Sequence, residues 1–248
     1  MNLNVFRSTK RGILSIALLG ASVFAGHRAS AQLRDHINLP DHDNKKFYIG
    51  IGLMYDNSHL QVSAHPNFLA SDSVLYVNPL NSGGFGASGM FTFRIANHLE
   101  FRAALPEFIF SSNSLSYHVN YPPVGEQKMA TKQIQSLLLG FPAQLKFLSD
   151  RIGNFRVYML GGVNYRYDLM SNSSTRKAEN LVKLSSSDFS VEAGIGFQIY
   201  MPVFILSPEL KISQGIKNVH SRDPNLQYSN VIDKIRTRQI IFSIICEG

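Results

Sequence analysis

Residues 189–212 read FSVEAGIGFQIYMPVFILSPELKI. Every second residue from Phe189 to Ile199 forms one row: Phe189, Val191, Ala193, Ile195, Phe197, Ile199. Ser190, Glu192, Gly194, Gly196 and Gln198 form the other. After Met201-Pro202 the alternation resumes, with Phe204, Leu206, Pro208, Leu210 and Ile212 against Ser207, Glu209, Lys211 and Ser213. A period of two is the side-chain period of a β-strand, because successive Cβ atoms point to opposite faces. Two such runs around a Met-Pro pair predict a hairpin with a tight turn.

The same pattern recurs along the chain. Strands are predicted over Phe47–Tyr55, Gly84–Ile95, a stretch beginning at Leu99, Gln133–Phe147, Asn154–Leu169, the two arms of the hairpin, and Arg238–Cys246. In the third, Glu107 falls on the apolar row just past Pro106, and a bulge at the proline accounts for the slip in phase. The connections alternate in length. Short turns lie at Ala96–His98, Ser149–Gly153 and Met201-Pro202; long polar loops cover about 56–82, 112–132, 171–187 and 215–234. Eight strands with alternating short and long connections match a bacterial outer-membrane barrel with short periplasmic turns and long extracellular loops. The predicted fold is therefore all-β: an eight-stranded antiparallel transmembrane β-barrel with four long extracellular loops.

Which row meets lipid follows from bulk. Each strand presents several large apolar groups on one face, and the interior of an eight-stranded barrel has room only for filling side chains. The opposite face carries Gly, Ser, Gln and isolated charges, whereas a surface facing water would be dense in Lys and Glu. The Phe/Leu/Ile rows are predicted to face hydrocarbon. Phe47, Phe93, Phe147, Phe155, Tyr165 and Tyr167, near strand ends, suit the aromatic girdles of the two interfaces. Arg102, Lys146, Arg156, Glu192, Glu209 and Lys211 then point into the lumen as a charge network, with Glu192 and Glu209 expected to neutralise Arg156 or Lys211. A lumen filled in this way does not form a pore.

The amino-terminal part is read as a targeting segment. Arg7, Lys10 and Arg11 precede the apolar stretch Ile13–Ala25, and Ala29-Ser30-Ala31 follows. This predicts a signal peptide over 1–31 for export by the Sec route, cleaved between Ala31 and Gln32. Next come a polar periplasmic segment over 32–45 and the outer-membrane barrel domain over 46–248. The leader holds four of the 24 bases and none of the 17 acids, so the remainder carries 20 bases against 17 acids, or +3. The formal +7 is thus largely a targeting feature and gives no support to nucleic-acid binding. A single cysteine, Cys246, leaves no intramolecular disulfide to hold the exported chain.

Other motifs carry little chemistry. Asp35, His36, Asp41, His42 and Asp43 crowd the 32–45 segment, but their spacing matches no metal-ligand pattern and a solvated linker is expected. Gly84-Phe85-Gly86-Ala87-Ser88-Gly89 fits G-x-G-x-x-G, yet it lies inside a predicted strand instead of opening a helix, so its glycines are read as making room for neighbours. No nucleophile elbow, Walker or zinc-protease motif occurs. The expectation is no enzyme activity, no cofactor, no metal and no small-molecule substrate, with outer-membrane lipid as the surroundings.

Four groups of residues resemble, in this order, the PorT family of the type IX secretion system of Bacteroidota. They are Asn154-Phe155-Arg156-Val157-Tyr158 with Gly161-Gly162 and Tyr165; Asp188-Phe189 leading to Glu192-Ala193-Gly194-Ile195-Gly196-Phe197; Ser207-Pro208-Glu209-Leu210; and Tyr228-Ser229-Asn230-Val231-Ile232-Asp233 with Arg236 and Arg238. The resemblance spans about Phe47 to Glu247. It implies an outer-membrane accessory of protein secretion, needed for export or maturation of cargo with C-terminal signals, with other secretion-system proteins as partners and no catalysis. The competing expectation is a general surface barrel for adhesion or envelope stability.

Overall fold

The computed structural model describes residues 37–65, 74–119, 129–171, 184–221 and 232–248. The predicted cleavage site at Ala31 and Gln32 lies outside them, as do the tips of the four long connections.

Ten strand segments build one antiparallel sheet: β1 (Phe47–Ala64), β2 (Val74–Leu80), β3 (Ser82–Ala96), β4 (Leu99–Ala104), β5 (Glu107–Val119), β6 (Met129–Leu148), β7 (Phe155–Asp168), β8 (Ser187–Tyr200), β9 (Ile205–Gly215) and β10 (Ile232–Glu247). β2 and β3 follow one another with only Asn81 between them, and β4 and β5 are separated by Leu105 and Pro106. Each pair serves as one staggered strand, so the ring has eight. It closes where β1 meets both β3 and the last strand, β10, with registers running from Gly50↔Glu247 to Ala64↔Ile232. Closure leaves no open edge at the level of the belt, which is the condition for a sheet to cross hydrocarbon.

The expected slip at Pro106 is a one-residue bulge. Between Met90↔Ala104 and Ala87↔Phe108, β3 advances three residues while the facing strand advances four. On the other side Ala103↔Ala143 and Glu107↔Gly140 repeat the mismatch. The extra residue turns Glu107 from the lipid row into the lumen, where it is 2% exposed, and returns Phe108 and Phe110 to the outside. Proline suits the spot because its missing N–H leaves no ladder bond unmade.

The two faces divide as the alternation requires. Ile51, Leu53 and Phe85 are each about 70% exposed (72%, 71% and 70%), while the intervening residues are buried. A soluble monomer rarely exposes an apolar patch above a few hundred Å²; here the outward rows of all eight strands are apolar. Two aromatic rows bound this belt. Phe47, Phe93 and Phe101 stand opposite one another across β1, β3 and β4, and Tyr55, Phe85 and Phe110 do so across β1, β3 and β5. On β1 the rows are eight residues apart (47 to 55), about 27 Å of strand or ~20 Å of height at a ~40° tilt. This approaches the ~25 Å apolar band of such barrels. The class is thereby fixed as a transmembrane β-barrel of the outer-membrane type. Short turns and the far ends of β1 and β10 share one rim, the periplasmic one; long connections mark the other.

The strands run further than the sequence reading expected. β1 continues past Tyr55 to Ala64, β5 to Val119, and β10 begins at Ile232 instead of Arg238. Their extensions enclose an apolar cluster of Leu60, Leu115, Tyr117, Leu184, Val219, Ile232 and Ile235, with each of these seven at most 9% exposed. Stretches assigned to solvated loops thus form a packed cap over the extracellular end of the lumen.

Candidate functional site: a charged lumen sealed at both ends

The lumen is built from inward residues of every strand, and it is neither open nor apolar. Arg102 of β4 donates from Nη2 to Glu209 Oε2 of β9 at 2.7 Å and from Nε to Gln144 Oε1 of β6 at 2.9 Å. The Tyr158 hydroxyl donates to the same Glu209 oxygen at 2.7 Å. One layer up, Glu192 accepts from Arg166 Nη2 at 3.1 Å and Asn164 Nδ2 at 3.0 Å on Oε1. On Oε2 it accepts from Gln144 Nε2 at 2.5 Å and lies 3.3 Å from Lys211 Nζ. Lys211 also pairs with Glu107 at 3.6 Å. One layer down, Lys146 Nζ lies between Glu100 at 3.5 Å and Glu247 at 3.3 Å, 4.5 Å from the centre of the Tyr158 ring. Glu247 is further bonded by Gln198 Nε2 at 3.0 Å and Ser207 Oγ at 2.9 Å.

This is how such charges survive burial. Desolvation costs several kcal/mol per ion, offset only where each charge has opposite partners and its remaining lone pairs are bonded. Gln144 joins the upper two layers by accepting from Arg102 and donating to Glu192, and Tyr158, bonded to Glu209 with Lys146 over its ring, ties in the lower one. Glycines give the large side chains their space. Gly196 stands directly opposite Tyr158, and a Cβ at residue 196 would meet the Tyr158 ring at 2.3 Å. The ring lies across the bare backbone and reaches Glu209 from there. Gly84 and Gly86 have the same function of clearance: a Cβ at either would meet a β5 carbonyl oxygen at 2.5 Å.

All six residues expected in the lumen are buried, but their partners differ from the expectation in two respects, the first being that Glu209 pairs with Arg102 and with neither Arg156 nor Lys211. Lys211 is held by Glu192, whereas Arg156 pairs with neither Glu192 nor Glu209. Its Nη1 reaches Asp43 Oδ1 at 3.2 Å, in the segment read as a solvated linker. That reading is corrected for residues 38–44. Pro40–Asn44 form a 3-10 turn, entered through Leu39 in the left-handed region at φ 50°, which plugs the periplasmic mouth. Three arginines clamp it. Arg94, bound to Glu100 at 2.9 Å, donates to the carbonyl oxygens of His42 and Asp43. Arg151 donates to those of Asn38 and Leu39 and to Asp43 Oδ2 at 3.2 Å, with its guanidinium 3.6 Å from the Tyr200 ring centre. Arg156 is the third. Asn38 bridges to Asn154 at 2.8 Å and to the Tyr200 carbonyl oxygen at 2.9 Å. His42 is 2% exposed, with its ring 4.7 Å from that of Tyr48. Burial, reinforced by the neighbouring Arg94 charge, lowers its pKa from 6.5 to about 4.

The predicted charge network leaves out Glu100, Glu107, Arg166, Glu247 and Asp43, which the structure joins to it. Glu100, Arg166 and Glu247 were detectable, whereas Glu107 lies on the apolar row by phase and turns inward only through the bulge at Pro106. Glu100 shares its phase with Arg102, Arg166 with Asn164 and Glu247 with Ser243, so following the inward row to its ends would have included them. Asp43 had no such signal, because a turn outside the strands has no period to follow.

No family model and no curated protein matches this chain. Among solved structures, the chain is similar to Neisserial surface protein A at 13% identity over 82% of this chain and 97% of that one, with a TM-score of 0.37. It is also similar to the outer-membrane protein OprG of Pseudomonas aeruginosa at 13% identity, over 82% and 95%, with a TM-score of 0.47. Ail, the attachment invasion locus protein of Yersinia pestis, is similar at 11% identity, over 82% and 100%, with a TM-score of 0.36. These are likenesses of fold; the class assigned here rests on the closed ring and the apolar belt.

Proposed function

We propose that this barrel is an outer-membrane accessory of type IX protein secretion, needed for export or maturation of cargo with C-terminal signals, and that it acts through its surfaces. The observation that carries the reading is the ordered run of four motif groups between Asn154 and Arg238 that resembles the PorT family. Two of those groups supply Glu192 and Glu209, the carboxylates at the centre of the lumen network. The closed lumen supports the second half of the proposal. An interior filled by ion pairs, capped by the Leu60–Ile235 cluster and plugged by Pro40–Asn44, offers no path for a polypeptide. The parts left for partners are the rims and the outer wall. The reading assigns no catalysis.

A deletion strain tests it. Loss of the gene is expected to leave cargo in the periplasm with its C-terminal signal uncleaved, with recovery on complementation. Normal secretion in the deletion strain refutes the proposal. One observation favours the second reading, a general surface barrel for adhesion or envelope stability: β1, β2, β5, β6 and β10 carry a packed extension above the belt, suited to presenting a rigid face. Normal secretion with altered adhesion or detergent sensitivity would select that reading.

A further inference from the structure

The outer wall is apolar up to the extracellular boundary, and then, on one strand, it changes sign. Along the outward row of β10, Ile244, Phe242 and Ile240 face lipid, and the next two outward residues are Arg238 and Arg236, both exposed. Neither guanidinium has an ion-pair or hydrogen-bond partner among the described residues, in contrast to Arg94, Arg102, Arg151, Arg156 and Arg166. Lys234 continues the row but lies 3.8 Å from Asp233. Across the ladder, Arg238 stands opposite His59 and Arg236 opposite Gln61, so no carboxylate faces them from β1. On the β9 side, Arg238 faces Gln214.

Their height identifies what they meet. The aromatic row that ends the belt passes through Tyr55 and Phe242, which are paired in register. Arg238 lies four residues beyond Phe242 and Arg236 six. At ~3.3 Å per residue and a ~40° tilt these are about 10 and 15 Å above the aromatic row. The polar layer of a bilayer is ~5–8 Å deep on each side. A long arginine side chain bends back toward that layer from just above it. Guanidinium groups bind phosphate through paired, charge-assisted hydrogen bonds.

We propose that Arg236 and Arg238 form a clamp for the phosphates of an outer-leaflet phosphoglycolipid, whose acyl chains lie along Ile240, Phe242 and Ile244. Two cations one dyad apart fit a headgroup carrying more than one phosphate. The clamp places a specific lipid at the seam where the first and last strands meet.

The test uses the chain from Gln32 to Gly248, refolded in zwitterionic detergent with bis-phosphorylated lipid A, with retained lipid read by native mass spectrometry. The expected result is one lipid A retained per barrel. Arg236→Gln with Arg238→Gln should lower the retained fraction at least tenfold, while Lys45→Gln at the periplasmic end should leave it unchanged. Enzymatically dephosphorylated lipid A should bind as weakly to wild type as the intact lipid does to the double variant. Equal retention by wild type and the double variant, or displacement of the lipid by inorganic phosphate at the same concentration as by free lipid A, would overturn the proposal. Both arginines are exposed, so the variants are expected to fold, and heat-modifiable migration on a gel checks this.

Discussion

Replacing Glu192 by Gln tests whether the lumen network holds the barrel together. The substitution keeps shape and volume and removes one charge that is 1% exposed. Four donors converge on the carboxylate: Asn164, Arg166, Gln144 and Lys211. A glutamine amide presents one oxygen to them and turns its own N–H donors toward the other two, whichever way it is flipped. Lys211 then keeps only Glu107, at 3.6 Å, and Arg166 keeps the neutral Ser213 hydroxyl, at 2.6 Å. Removing one member of a buried ion pair costs ~3–5 kcal/mol. Because each cation retains one partner, we place Glu192→Gln at the lower end, about 3 kcal/mol, or roughly a 150-fold fall in the folding equilibrium. Adding Lys211→Met removes the stranded charge, and the double variant should be more stable than the sum of the single losses by ~1–3 kcal/mol. The assay is urea unfolding of the barrel in lipid vesicles, scored by the heat-modifiable gel shift. Asp150→Asn is the control, since that side chain is 91% exposed on a periplasmic turn. If Glu192→Gln unfolds within ~0.5 kcal/mol of the control, as an ordinary surface substitution does, the network does not stabilise the fold.

Three further outcomes follow. The periplasmic plug should loosen in acid: the folded pKa of His42, about 4, lies below the ordinary 6.5, so docking is strongest above pH 6.5 and weakens as pH falls from there toward 4. A spin label on an Asp41→Cys, Cys246→Ser chain should gain mobility across that window, and His42→Phe should abolish the change; mobility independent of pH in the His42 protein would contradict the burial argument. Gly196→Ala should cost ~1–3 kcal/mol by pushing Tyr158 off the bare backbone and away from Glu209, read by the same unfolding assay; a neutral result would mean that the ring moves aside without loss. Ile51→Arg, on the outward row midway between Phe47 and Tyr55, should cost ~2–4 kcal/mol in vesicles, whereas a water-facing site would tolerate it.

What the chain disclosed before its structure divides along a physical line. Wherever one face met lipid and the other a filled lumen, period-two alternation was strict, and β7, β8 and β9 follow it residue by residue. The phase error at Glu107 was itself informative, since only an inserted residue at Pro106 returns that carboxylate to the lumen. Above the belt the contrast fades. Both faces of β1 beyond Tyr55 and of β5 beyond Ser111 include polar residues, because one meets water and the other a mixed interior, so strands there read as loops. The plug was invisible for a different reason. Leu39-Pro40-Asp41-His42-Asp43 has the composition of a mobile tail, and its order comes from Arg94, Arg151 and Arg156, contributed by strands and a turn far away in sequence. Pairing across the lumen, such as Arg102 with Glu209, depends on closure and register, which alternation alone does not specify.

Spin labels placed one at a time along residues 189–199 of a Cys246→Ser chain in vesicles measure directly which face of the closed sheet meets hydrocarbon. Labels at Phe189, Val191, Ala193, Ile195, Phe197 and Ile199 should collide with dissolved oxygen and not with a water-soluble nickel chelate, while labels at the alternate positions collide with neither. Nickel contact along the Phe189 row, with oxygen contact along the Glu192 row, would contradict this orientation.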